Sequence, residues 1–155
     1  METLPEALLI KCLDNSIKRY LDDLTKPLNM TSAKCKVIHY LEKKSRENEK
    51  VYVKDIEVIF NIKKSSASEI VSSLEKDGCI KKSSDSIDSR HKELILTEKG
   101  YRLSDETRNV LLDANRQMLN GFDENDVLTL RELLEKMIKN IEEVENGRSD
   151  SKKEI

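Results

Sequence analysis

The chain has 155 residues, of which 37% are charged and 4% aromatic, with no Trp and a formal net charge of −2. Its longest apolar run, Ala7 to Ile10, falls far short of the roughly 18 residues a membrane span needs. No basic residue precedes Lys11, so the N-terminus does not read as a signal peptide, and a cytoplasmic protein is expected. Four Gly and two Pro are too few for a many-turned all-β fold.

The first amphipathic stripe is Leu9, Leu13, Ile17, Tyr20 and Leu24, a helix that begins at Pro5 and is ended by Pro27. A second helix starts near Thr31 or Ser32, either of which can cap it, with Val37, Ile38 and Leu41 inward. A charged stretch, Lys43 to Lys50, leads to a short third helix, Val53 to Asn61, with Ile56, Ile59 and Phe60 expected to face in. In the fourth, Ala67, Ile70, Val71 and Leu74 recur at i, i+3, i+4 and i+7. Ser66 and Glu69 fit a capping box there, and Gly78 a left-handed C-terminal cap.

Beyond Gly78 the period changes. Cys79–Lys82 and Glu93–Leu96 read as two strands of a hairpin whose long polar tip is Ser83–Lys92, anchored by Ile80, Leu94 and Leu96. A helix from Glu98 to Asn120 follows and Gly121 breaks it. The last helix opens on Asp123, Glu124 and Asp126, acids that favour a helix N-terminus. It carries a heptad seam of Val127, Leu130, Leu134, Met137, Ile141 and Val144, widened by Leu128, Leu133 and Ile138. Such a helix needs more than one partner surface. Residues 147–155 are expected to form a disordered tail.

The fold expected is mainly α with a small β-wing (α+β). It is a winged helix-turn-helix lobe over 30–97, framed by a helical dimerisation region over 1–29 and 98–146. The lobe holds 14 basic and 11 acidic side chains, and residues 98–155 hold 10 and 14. A basic centre on an acidic frame fits a nucleic-acid partner. The major groove, about 12 Å wide, admits one helix whose first turns must carry small or polar side chains. The segment Lys63, Lys64, Ser65, Ser66 and Ser68 meets that need. The tip residues Asp88, Arg90, His91 and Lys92 would reach the minor groove, where the potential is most negative.

Three linked motifs carry a resemblance. Leu74-Glu75-Lys76-Asp77-Gly78-Cys79-Ile80, Asp88-Ser89-Arg90 and Leu94-Ile95-Leu96-Thr97-Glu98-Lys99-Gly100 resemble the helix end, wing motif and strand end of the multiple-antibiotic-resistance regulator (MarR) family. The order of elements agrees over about residues 5–145. The resemblance implies a bacterial, homodimeric transcriptional regulator, a repressor in most members, that binds a pseudo-palindromic operator in double-stranded DNA. It implies that the recognition helix lies in the major groove and Arg90 in the minor groove, with Asp88 orienting the wing. It further implies dimerisation through the terminal helices, here Leu9, Leu13, Ile17, Val127, Leu130, Leu134, Met137 and Ile141. A small-molecule effector relieving the binding is left open. Gly100 would lie inside a helix start, at about 1 kcal/mol relative to Ala.

Two other readings compete. Cys12, in the first helix near the place where peroxide-sensing members carry a reactive thiol, would make the protein a redox sensor of the same fold. Alternatively, the heptad seam would serve a helical interaction protein with no DNA partner. An enzyme is not expected, because the sequence has no Ser/His/acid grouping or phosphate loop. No metal or other cofactor is expected either: Cys12, Cys35, Cys79, His39 and His91 share no ligand spacing.

Overall fold

The computed structural model describes residues 4–83 and 91–151, with side chains described to residue 148. The chain divides into two compact units, residues 1–114 and 115–155. No helix among the described residues is long and apolar enough to cross a membrane.

The first unit begins with α1 (Glu6–Thr25), whose first turn bonds back to the Pro5 carbonyl. Pro27 falls within a short 3-10 turn, Lys26–Leu28, and the chain reverses at Asn29, which is left-handed with φ 54°. Asp22 Oδ1 accepts the amide of Ser32 at 2.7 Å and so joins α1 to the start of α2 (Ser32–Arg46). Thr31 caps α2 as expected, accepting the Lys34 amide at 3.3 Å.

In α3 (Val53–Ile59) only Ile56 is fully buried. Ile59, expected to face in, is 55% exposed. The core face is set by Val53, Ile56 and Phe60, the last meeting Tyr40 edge-on at 5.8 Å. Ile59 lies roughly a quarter turn off that face.

The fourth helix, α4 (Lys64–Lys76), starts earlier than its sequence implies. Lys63 occupies the N-cap with no side-chain bond, and Ala67 N bonds to Lys63 O at 3.0 Å. Ser66 is therefore already inside the first turn, and the Ser66–Glu69 capping box does not form. Ala67, Val71 and Leu74 are buried as the stripe requires. Gly78 ends the helix at φ +74°.

The strands β1 (Ile80–Lys82) and β2 (Leu94–Leu96) pair antiparallel, Ile80 opposite Leu96 and Lys82 opposite Leu94. Ile80, Leu94 and Leu96 are all buried, and the Leu94 amide donates to Val51 O at 2.8 Å, which stitches the hairpin to the loop before α3. The shared core runs through Met30, Val37, Ile38, Leu41, Ile56 and Leu74 to these strands.

The fifth helix, α5 (Glu98–Met118), opens against the hairpin. Gly100 there is required. A Cβ at this position would overlap the carbonyl oxygen of Cys79 and come within 2.9 Å of Leu96 Cδ2. The helix-propensity cost expected from sequence is outweighed by this backbone approach.

In the second unit the chain breaks at Gly121, φ +88°, before α6 (Glu124–Ser151). Asp123 and Asp126 cap one another: Asp126 N donates to Asp123 Oδ1 at 2.8 Å and Asp123 N to Asp126 Oδ2 at 3.1 Å. The helix continues past Asn146 to Ser151, so the segment expected to be a disordered tail begins as helix. No α6 side chain up to residue 148 is fully buried.

Candidate nucleic-acid interface

The α3–α4 turn is closed by its own backbone. Asn61, left-handed with φ 48°, donates to Val58 O at 3.2 Å, and Ile62 donates to Glu57 O at 3.1 Å. This is a Schellman turn with Asn where Gly is usual. It sets the direction of α4, and the buried Ala67, Val71 and Leu74 hold the helix onto the core. The other face is open. Lys63, Lys64, Ser65, Ser66 and Ser68 are all exposed, as are Glu69, Ser72 and Lys76. Helix N-terminal amides, two lysines and a run of hydroxyls together make a surface suited to a polyanion.

The far end of α4 is clamped. Asp77 Oδ2 pairs with Lys34 Nζ at 2.8 Å, with both side chains mostly buried, and Lys99 Nζ donates to the Asp77 carbonyl at 2.6 Å. Thr97 Oγ1 donates to Gly78 O at 2.6 Å and accepts the Gly100 amide at 3.2 Å. The end of α4, the hairpin root and the first turn of α5 thus form one piece. From the sequence, Thr97 appears only within the motif, Gly100 only as a motif position with a helix-propensity cost, and Lys34 not at all. The signal available was the Leu-Thr-x-x-Gly spacing, which places a cap and a bare Cα beside a strand end.

On the hairpin, Lys81 is exposed, while Lys82 pairs with Glu75 at 3.1 Å. His91 is exposed and Lys92 half-buried. Asp88 and Arg90 lie outside the described residues.

Behind this surface, α2 meets α5 through a polar seam that no apolar pattern could announce. Glu42, 6% exposed at its side chain, is gripped by Ser104, Arg108 and Arg46. His39 Nδ1 contacts Ser104 Oγ at 3.0 Å and Nε2 contacts Thr107 Oγ1 at 3.1 Å. Burial pushes the Glu42 carboxyl up, but the hydrogen bonds from Ser104 and Arg108 and the two guanidinium charges outweigh it, so its pKa falls below the ordinary carboxylate value. Burial, reinforced by the Arg108 charge, holds the His39 imidazole below its usual value. Burial raises the pKa of the Cys35 and Cys79 thiols, which disfavours their thiolate forms. Cys12 is exposed on α1.

The residues expected at a dimer interface are accessible in the single chain. Leu9, Leu13 and Ile141 are more than half exposed, Leu130 and Leu134 are each 37% exposed, and Ile17, Val127 and Met137 are half-buried. A cavity of about 200 Å³ lies among α1, α2 and α4, with Ile17, Leu21, Val37, Phe60 and Ile70 as its apolar wall and Lys36 in its lining.

Comparison with known proteins separates sequence from shape. No family model matches the sequence, and no curated protein matches it. Solved structures do match. MepR from S. aureus, in complex with DNA, superposes with a TM-score of 0.77 at 18% identity, covering 88% of this chain and 96% of that one. The MarR regulator from Oenococcus oeni PSU-1 is 27% identical, with a TM-score of 0.68, covering 87% and 99%. A MarR-family transcriptional regulator from Rhodococcus sp. RHA1 gives 0.75 at 18% identity, covering 88% and 97%.

Proposed function

Starting from a chain that resembles the MarR-family regulators and has their winged helix-turn-helix fold, we propose that it is a sequence-specific DNA-binding transcriptional regulator acting in the cytoplasm as a homodimer. The observation that carries this reading is the outward face of α4. It bears two lysines and a run of serines, all exposed, and neither lysine has an ion-pair partner among the described residues. The helix is aimed by the Asn61 turn and fixed at its far end by Asp77, Thr97 and Gly100. α4 enters the major groove, with Lys63 and Lys64 on phosphates and the serines near base edges. Arg90 enters the adjacent minor groove, with Asp88, His91 and Lys92 around it. The stripes on α1 and α6 bury against a second copy and so present two α4 helices to a pseudo-palindrome.

Repression is the sign of regulation proposed. Relief comes from a small amphipathic ligand in the cavity of α1, α2 and α4, whose apolar wall suits a ring or short alkyl group and whose lining also carries Asp14, Lys18 and Lys36 for a polar end. Such a ligand regulates only by binding one arrangement of the DNA lobes better than the other.

Selection of bound duplexes from a random pool tests the reading directly. A palindrome with half-sites about one helical turn apart is expected. The absence of any enriched sequence, with binding that does not respond to salt, would overturn it. In a salt titration Arg90→Ala is expected to weaken binding across sequences and to reduce the slope of log affinity against log salt by about one. An unchanged slope removes the wing from the mechanism.

A further inference from the structure

The outward stripe of α4 is chemically uneven. Ser65, Glu69, Ser72 and Lys76 follow one another at i, i+4, i+7 and i+11, all exposed and opposite the buried Ala67, Val71 and Leu74. The neighbours of Glu69 one helical turn away are Ser65, Ser66, Ser72 and Ser73, and none of them is a cation. Glu69 makes no ion pair and no hydrogen bond among the described residues. Several other acids of this lobe are engaged: Glu42 by Arg46 and Arg108, Glu75 by Lys82, Asp77 by Lys34, Glu93 by Lys50.

A bare carboxylate on a surface that must approach DNA works against binding, because the duplex carries one negative charge per about 1.7 Å. A role in stabilising the helix does not account for it. Glu69 lies beyond the first turn of α4, where the macrodipole's attraction for an acid has fallen away, and no Lys is placed to pair with it. What a carboxylate does in the major groove is accept a hydrogen bond from an exocyclic amino group, and the cytosine N4 amine is its matching donor. The surrounding serine hydroxyls both donate and accept, so they do not discriminate among bases.

Resting on the DNA-binding reading above, we propose that Glu69 is a specificity-determining residue. It accepts from a cytosine amino group at one position of each half-site and rejects sequences that present only acceptors there. The amino proton stays on the base, and the hydrogen bond gained at the correct site, which offsets the carboxylate's repulsion by the duplex, is what separates that site from bulk DNA.

The test uses the full-length protein and a random-pool selection run in parallel for the wild type, Glu69→Gln and Glu69→Ala. The wild type is expected to enrich a cytosine at one position of each half-site, and to lose affinity roughly tenfold when that base pair is exchanged. Glu69→Gln should shift the position toward adenine, whose N6 and N7 an amide matches. Glu69→Ala should lose the preference while binding unselected DNA more tightly. Two results overturn the proposal with the regulator reading intact: variants that keep the wild-type sequence preference, and variants that gain affinity equally for every sequence. Failure of the wild type to enrich any sequence overturns both. Because Glu69 is exposed, an unchanged far-UV dichroism and melting point for the variants excludes misfolding as the cause.

Discussion

The winged lobe and the last helix have comparable apolar stripes and opposite fates. In the lobe, Val37, Ile38, Ile56, Val71 and Leu74 are each no more than 1% exposed. On α6, Leu128, Leu133, Ile138, Ile141 and Val144 are each more than 50% exposed. Periodicity alone cannot tell these apart, since i, i+3, i+4 spacing records that a face is apolar and not what covers it. The lobe closes on itself because three helices and a hairpin converge. A 28-residue helix carrying its seam along its whole length calls for a second long apolar surface.

The largest expected effect tests that difference from the α6 side. If the proposed homodimer forms through α6, placing charges in the seam with Leu130→Asp and Leu134→Asp together should weaken it about a thousandfold, seen as monomer by sedimentation, while the lobe keeps its fold. A dimer that survives would mean that α6 is covered by something else.

From the lobe side, Ile56→Ala should lower unfolding free energy by about 2–5 kcal/mol in chemical denaturation, because it opens a cavity in a closed core. The same truncation at the exposed Val58 should cost under about 0.5 kcal/mol. Gly100→Ala is the sharper probe of the junction. Although Ala is the better helix former, the clash with Cys79 should destabilise by about 1–3 kcal/mol. A gain in stability would show that the hairpin root can give way.

The polar seam sets the response to acid. The His39 imidazole has its pKa lowered by burial and the Arg108 charge, so the unfolded chain takes up that proton first and stability falls as pH drops below about 6.5. The lowered pKa of Glu42 contributes stability above the ordinary carboxylate range that is lost as pH falls through its folded value. Both act in one direction. The melting temperature should therefore decline from pH 7.5 to 5 and more steeply below pH 4, and His39→Gln should flatten the upper limb. A small effect is expected at the turn: Asn61→Ala should cost about 1 kcal/mol through its left-handed backbone, and Asn61→Gly almost nothing.

These sites also show what a sequence reveals and what it hides. The α4 stripe, the Gly78 cap and the strand pairing were all legible, because each rests on a local rule of spacing or backbone freedom. The left-handed turns at Asn29 and Asn48 were not, since Asn adopts a left-handed conformation only some of the time and looks like any polar loop residue. Ser104 and Thr107 carry no signal in the apolar periodicity, yet α2 brings His39 and Glu42 against them. The exposure of the lysines and serines of α4 was legible because they lie off its apolar stripe, whereas the clamp of Lys34, Asp77 and Thr97 joins residues far apart in sequence.

The contact at Gly100 has a mechanical consequence. Where two backbones meet with no side chain between them, there is no rotamer to adjust and hence no slack. Any tilt of the opening turn of α5 is handed undiminished to the root of the hairpin and, through Asp77 and Gly78, to the tail of α4. Reporter labels on the α5 opening turn and on β1 should therefore keep a constant separation while the rest of α5 is perturbed.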